Sequence, residues 1–411
     1  MPRVSLDAGD RRDAAPAILH ICTIAFGRRH HPAFWRTVVS LNRHFRSIVL
    51  TRGRPGYFLQ DDDPGDPRAN GIEILPPQDL RALKEPSVAA STARILTQRH
   101  GRIDAIVGHL HSALWVLPLA RRLSVPLMMI FHGGDANQEL RAPKYAARYA
   151  RLREAPAAFY VGVSQNLVDR LLEYGMAPER TFLCHLGIDL AAYRVPTRFE
   201  SRPIKIVMAG RFLPLKGHKM AILGFAKLLE KFPDASLSLI GAGNDPEQQN
   251  YRMELVALAE GMGLGRSIRF CDSMPVEKLA EEFAQSDICL QTSIFIPEYG
   301  PSEGLPNTIL EAMATGLPVV ATRYSGIPEA VAHERTGLLV EPHDIDGLAR
   351  ALARLVADPE LRRRYGLEGR KRVEQEFDYL RQGDRLAGLI RQMTSAYASL
   401  SPGERAAAWQ A

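Results

Sequence analysis

Residues 302–316 read Ser302-Glu303-Gly304-Leu305-Pro306-Asn307-Thr308-Ile309-Leu310-Glu311-Ala312-Met313-Ala314-Thr315-Gly316. Pro306 suits the first turn of a helix and Gly316 its C-terminal stop, so a short helix is expected over about 306–315. A β-rich run near 287–291 precedes this stretch and another near 318–321 follows it. Strand, loop, helix, strand is the repeating unit of a parallel sheet.

Working outward, β-rich runs fall near 18–25, 48–50, 72–75, 104–109, 127–131, 159–163 and 181–185, and a second series near 205–209, 236–240, 268–270, 287–291, 318–321 and 337–340. Helical patterns alternate with them, as at 216–231, 247–262 and 276–285, with surface helices near 344–357 and 359–375. Continuous apolar strands separated by helices indicate the α/β class, with parallel sheets covered on both faces. Pro196 and Pro203 flank a polar stretch without periodicity, which makes 196–203 the expected linker. The expected layout is a tail over 1–16, a Rossmann-like domain over 17–195, a second over 204–376, and a helix with tail over 377–411. Leu386, Leu389, Ile390, Met393 and Tyr397 share one face of that last helix, which is expected to cross back to the first domain. Two doubly wound domains facing across a cleft bind ligands outside the carboxyl ends of their strands.

Three elements carry chemistry. Backbone N–H groups at 305–307, at the start of the short helix, would form an anion site. Glu303 precedes that helix and Glu311 lies on its second turn, so hydroxyls on both sides of the anion find carboxylates. An anion flanked by hydroxylated groups describes a sugar nucleotide. The stretch Gly210-Arg211-Phe212-Leu213-Pro214-Leu215-Lys216-Gly217 follows the 205–209 strand directly. Its two cations at a strand's carboxyl end suit a diphosphate leaving group. Gly241-Ala242-Gly243-Asn244 allows close backbone approach after the next strand, but lacks the third glycine of a dinucleotide fingerprint.

Arg211, Lys216 and the Glu303/Glu311 pair within SEGLPNTILEAMATGLPVVAT resemble the family-four retaining glycosyltransferases of GT-B fold. The SEGLPNTILEAMA form is similar to enzymes of bacterial exopolysaccharide, capsule and colanic-acid-type assembly. This resemblance implies a hexose moved from a nucleotide diphosphate sugar, with retention and without a metal, to a saccharide or lipid-diphosphate-linked oligosaccharide acceptor. It implies that Arg211 and Lys216 hold the diphosphate, Glu303 the donor sugar and Glu311 the ribose. Leu305, Asn307 and Thr308 would meet the phosphate, Gly241 and Gly243 the donor, and Cys271 the base. His132, in Phe131-His132-Gly133-Gly134-Asp135, matches the histidine facing the donor sugar. Gly27 and His111 fall on the acceptor side. UDP is favoured over GDP as the commoner donor, and the sugar is left open. A sugar-nucleotide epimerase of the same fold and a non-catalytic nucleotide- or glycan-binding relative are the alternatives.

Composition excludes several other classes. Of 411 residues 46% are hydrophobic and 24% charged, values that exclude a wholly disordered chain. No apolar run reaches membrane-spanning length, and the Arg- and Asp-bearing start lacks a secretory h-region. The four dispersed cysteines, Cys22, Cys184, Cys271 and Cys289, read as buried thiols in a cytoplasmic protein. Residues 1–200 carry 27 Lys and Arg against 19 Asp and Glu, whereas 201–411 carry 25 against 27. The basic first half suits an anionic partner or merely an Arg-rich surface. Arg28–Arg46 and Arg141–Arg153 interleave cations with aromatics, which points to a peripheral contact with an anionic inner-membrane surface. Neither stretch has a nucleic-acid-binding arrangement. Asp61-Asp62-Asp63, among Pro and Gly, reads as a solvated loop rather than a metal site.

Overall fold

The computed structural model describes residues 15–22, 32–51, 71–76, 79–109, 113–133, 140, 143–196, 203–241, 245–298 and 303–409. Gly27, His111, Gly243, Asp61–Asp63, most of the 1–16 tail and the middle of the 196–203 linker lie outside the described residues.

The chain divides into two units. The first comprises residues 1–163, 167–187 and 379–411, and the second 164–166 and 188–378. The change of unit at Gly187/Ile188 precedes the expected linker, because Ile188 and Tyr193 are already buried in the second unit's core.

In the first unit, strands β1 (Ala17–Cys22), β2 (Arg46–Thr51), β3 (Glu73–Ile74), β4 (Ala105–His109), β5 (Leu127–Phe131), β6 (Ala158–Gly162) and β7 (Thr181–Leu183) form one sheet in the order β3-β2-β1-β4-β5-β6-β7. Every pairing is parallel, as between β1 and β4, where Cys22 stands opposite His109. Helices α1 (Pro32–Leu41), α2 (Pro86–His100), α3 (Ala113–Leu123), α4 (Pro143–Glu154) and α5 (Gln165–Glu173) make the crossovers. β1 and β5 are wholly buried, which is why they read as unbroken apolar runs rather than alternating ones.

The second unit repeats the plan. Strands β8 (Lys205–Ala209), β9 (Ser236–Gly241), β10 (Ile268–Asp272), β11 (Ile288–Gln291), β12 (Val319–Thr322) and β13 (Gly337–Val340) run in the order β10-β9-β8-β11-β12-β13, again all parallel. Helices α6 (His218–Leu229), α7 (Pro246–Gly261), α8 (Val276–Ala284), α9 (Asn307–Ala314), α10 (Ile327–Ala330), α11 (Ile345–Ala357) and α12 (Pro359–Glu376) cover it. Strand periodicity sends Ile206 and Met208 into one core layer and Val207 and Ala209 into the other.

Helices α13 (Tyr379–Ala398) and α14 (Pro402–Ala407) return the chain to the first unit. The expected stripe buries there: Leu386, Ile390, Met393 and Tyr397 join its core and Leu389 packs against it. At Gly383 any Cβ would overlap the Ser40 side chain of α1, so only glycine permits this approach. Asp384 fixes the register, accepting from Arg43 at 3.2 Å and pairing with His44 at 2.6 Å. Among the described residues, no helix is long and apolar enough to cross a membrane.

The structure corrects the reading of the two basic aromatic stretches. Phe34, Trp35 and Phe45 are all buried, Trp35 beside Cys22 and Ile72, and even Arg36 is covered. In α4, Tyr149 and Leu152 belong to the core and Tyr145 packs against it. Phe34, Trp35, Phe45 and Tyr149 are thus spent on the core, and Tyr145 is half-buried against it.

Candidate functional site

In both sheets the strand order reverses beside the first strand, between β1 and β4 and between β8 and β11. A reversal opens a crevice at the carboxyl ends, because the crossovers on its two sides lead to opposite faces. In the second unit that crevice receives the turn after β8 and the loop after β11.

The turn is a short 3₁₀ segment, Pro214–Lys216, closed by Gly217 in the left-handed region at φ 74°. A Cβ at Gly217 would overlap the Thr292 carbonyl just past β11. The two segments are laced together: Thr292 Oγ1 donates to the Gly217 carbonyl at 2.9 Å, and the Ile294 N–H to the Leu215 carbonyl at 2.9 Å. His218 lies fully buried behind the turn, 5.1 Å from the Phe212 ring and facing the Gly210 and Leu213 carbonyls. Burial, with the Lys216 charge adding to it, pushes its pKa down to about 3, so the imidazole is neutral.

This lacing brings Lys216 and Glu303 together across 86 intervening residues; Lys216 Nζ stands 2.5 Å from Glu303 Oε2. Ser293 Oγ donates to the same oxygen at 3.0 Å and accepts from Gln291 Nε2 at 2.9 Å. Gln291 Oε1 in turn faces Thr308 Oγ1 at a long 3.4 Å. A polar chain therefore runs from the amino end of α9 to Lys216, and Gln291, Ser293 and Glu303 within it are all buried. Such a chain holds its members in one arrangement, because a broken link would leave a buried polar group unpaired. Gln291, Thr292, Ser293 and Ser325 were not anticipated. The polar Gln-Thr-Ser that ends an apolar strand was the available signal.

Pro306 is not in the first turn, as the sequence suggested. It is the N-cap, with ψ 119°, and the helix proper starts at Asn307. Proline's missing N–H and fixed φ suit either position, and only the packing of the preceding loop decides between them. That loop is anchored by Ser325 Oγ donating to the Glu303 carbonyl at 2.7 Å and by the Gly326 N–H donating to the Gly304 carbonyl at 3.2 Å. The cap makes no side-chain hydrogen bond, so the first N–H groups of α9 form an electropositive end beside half-buried Leu305, Asn307 and Thr308. Glu311 is buried on the same helix, where its charge adds to the burial that raises the Cys289 thiol to about 12. Gly316 stops the helix at φ 76°.

Arg211 is exposed on the β8 turn. Gly241 ends β9 so close to the Gly210 carbonyl that a Cβ there would overlap it. Cys271, half-buried on β10, has its thiol raised chiefly by burial. Lys216, Glu303, Leu305, Asn307, Thr308 and Glu311 thus gather at the β8/β11 reversal, while Arg211, Gly241 and Cys271 lie along the same edge of the sheet.

His132 belongs to the first unit, just beyond β5, with its ring 5.8 Å from that of His109. His109 is buried, 4.5 Å from Phe34 and 6.3 Å from His20.

The Glycosyltransferase Family 4 profile matches residues 36–192 and the Glycosyl transferases group 1 profile residues 191–372. The D-inositol 3-phosphate glycosyltransferase of Corynebacterium efficiens is 30% identical over 319 residues, covering 73% of this chain and 72% of that protein. A GDP-mannose-dependent alpha-(1-6)-phosphatidylinositol monomannoside mannosyltransferase of Mycolicibacterium smegmatis is 29% identical, covering 73% and 71%. A glycosyltransferase from Rickettsia africae superposes with a TM-score of 0.74 at 16% identity, over 92% of this chain and 98% of that one. Anabaena HepE in complex with UDP and glucose gives 0.74 at 18% identity, over 92% and 100%. With two parallel-sheet Rossmann-like units, both family profiles in sequence and a 30% identical relative over most of its length, the chain belongs to the group 1 glycosyltransferases of GT-B fold.

Proposed function

We propose that this glycosyltransferase moves a hexose, with retention and without a metal, from a UDP-sugar to a ring hydroxyl of a phosphate- or diphosphate-bearing acceptor. The carrying observation is the 2.5 Å Lys216–Glu303 pair at the β8/β11 reversal, beside the amino end of α9. An ammonium has three donors and Glu303 takes one, so Lys216 keeps two for the donor's diphosphate. Ser293 and Lys216 both bind Oε2 of Glu303, which leaves Oε1 for a hydroxyl of the donor sugar. Glu311 serves the ribose, and Gly241 and Cys271 border the nucleoside.

As the glycosidic bond breaks, charge grows on the diphosphate. Lys216, Arg211 and the first N–H groups of α9 meet that charge without reorganising, which is the largest contribution expected of the protein. In this reading the leaving diphosphate takes the acceptor's proton on the face from which it departs, and His132 keeps the donor-sugar role that the family resemblance implies.

The acceptor class draws on what the relatives' names and the lipid-diphosphate expectation share, a hydroxylated ring carrying phosphate, and on the basic first half of the chain. The reaction is placed at the cytoplasmic face of an inner membrane, with exposed Arg151 and Arg153 of α4 near anionic headgroups.

The test is calorimetric titration with UDP and with GDP in the presence of EDTA, on the wild type and on Glu311→Ala. Tight binding of UDP, weakened by the mutation, is expected. No binding of either nucleotide overturns the donor site, and binding that needs a divalent ion overturns metal independence. The anomeric proton coupling of the product decides retention, and product formed without any acceptor would identify an epimerase instead.

A further inference from the structure

Among the described residues just past β11, Phe295 is a large apolar side chain that neither the core nor the ion pair uses. Ser293 is tied to Glu303, and the Ile294 backbone to Leu215, while the Ile294 side chain packs against the core. The next residue, Phe295, is 46% exposed. Among the described residues it is the one aromatic in the set of large exposed hydrophobics, the others being aliphatic or Met. Leaving a phenyl ring in water forfeits burial that a core position would supply. The clamped backbone on its N-terminal side shows that this exposure does not belong to a loose end. Phe295 directly follows Ile294, whose N–H donates to the Leu215 carbonyl, and Leu215 neighbours the Lys216 that holds Glu303.

A pyranose or cyclitol ring has two kinds of surface. Its hydroxyl edge needs carboxylates and amides, which the polar chain supplies. Its C–H face needs a flat apolar partner. We propose that Phe295 is that partner, a platform on which a pyranose or cyclitol ring stacks, so that it selects rings by the stereochemistry of the stacked face. Equatorial hydroxyls leave that face flat, whereas an axial hydroxyl pointing to the phenyl lifts the ring away and loses the contact. This inference rests on the reading of Lys216 and Glu303 as the donor centre.

The stacked ring belongs either to the donor sugar or to the acceptor, and one set of variants separates them. Phe295→Tyr keeps the plane, Phe295→Leu keeps apolar volume without a plane, and Phe295→Ala keeps neither. The probes are UDP and UDP-glucose in calorimetry, and D-inositol 3-phosphate as acceptor in steady-state transfer. For Phe295→Ala, UDP affinity is expected within about twofold of wild type, while either UDP-glucose affinity or the acceptor KM worsens about tenfold. Phe295→Tyr restores it and Phe295→Leu does not. A shift confined to UDP-glucose assigns the donor sugar, and one confined to KM assigns the acceptor. The platform is overturned if both ring readouts stay within twofold while UDP still binds, if Leu restores binding as fully as Tyr, or if UDP affinity falls equally. Failure of the wild type itself to bind UDP or GDP overturns the donor centre, a result visible before any Phe295 variant is made.

Discussion

The two sheets share one topology but solve the burial of polar groups at their carboxyl edges in opposite ways. At the β8/β11 reversal a lysine and a glutamate are paired, with side chains 13% and 10% exposed, and continued by Ser293, Gln291 and Thr308. At the β1/β4 reversal the polar groups are imidazoles: His20, His109 and His132 stand in a row beside Phe34. Burial pushes His20 down to about 3, so it is neutral there. Removing charges from water is costly unless they are paired, whereas a neutral imidazole costs far less. The second unit thus keeps a charged pair at its reversal, whereas the first keeps the neutral His20 at its own.

The strongest way to break this contrast is at Lys216. Lys216→Ala is expected to lower turnover about 10³-fold, the scale of losing one preorganised charge contact in a transition state. It also leaves the Glu303 carboxylate buried without its cation, so thermal stability should fall. Lys216→Met combined with Glu303→Gln should recover the stability but not the turnover. Recovery of both would mean that the pair is structural.

The counterpart in the first unit is Gly383→Leu, which drives a side chain into Ser40 where α13 lies on α1. A loss of about 2–3 kcal/mol in urea unfolding is expected, without change in nucleotide affinity. Reduced nucleotide affinity in the folded variant would show that the return of α13 serves the donor site as well.

Acid sharpens the comparison further, because burial keeps a histidine neutral in each unit, His20 in the first and His218 in the second. His20 and His218 are both lowered from 6.5 to about 3, each chiefly by burial. Between those values the unfolded chain binds protons that the folded chain refuses, so stability is full above pH 6.5 and falls as the pH drops. From pH 7 to pH 5 each histidine should cost about 2 kcal/mol. Urea midpoints at the two pH values, on wild type and on His20→Gln and His218→Gln, measure the two contributions separately; equal pH slopes in all three would refute them.

The smallest effect concerns the surface of α4. Reversing Arg151 and Arg153 to Glu should weaken binding to liposomes rich in anionic lipid by about 1 kcal/mol for each cation lost. Sedimentation at low salt reads this directly, and unchanged partition would remove the membrane contact.

The strands were legible because each is a short buried run, and parallel sheets covered on both faces show their apolar content undiluted. The carboxyl-end motifs were legible because Arg211, Lys216, Glu303 and Glu311 sit at fixed offsets from those runs. The aromatics of α1 and α4 misled the reading. Trp35 and Tyr149 interleave with arginines along the chain, and composition along a helix does not say which neighbours will cover it. In the fold, both residues are buried in the core of the first unit.

By itself, the order of residues determined the class of fold and the alternation of its elements, and it singled out Arg211, Lys216, Glu303 and Glu311 as the proposed donor side chains. These depend on periodicity and on offsets within tens of residues. Only tertiary structure decided that Glu303 meets Lys216, that Ser293 and Gln291 join them, and that α13 belongs with the first unit. Those contacts follow from the strand order β8-β11 and from two glycines at which any Cβ would overlap a neighbour. Neither the order of strands nor such close approach is written in local sequence, because each is set by what the assembled sheet leaves room for.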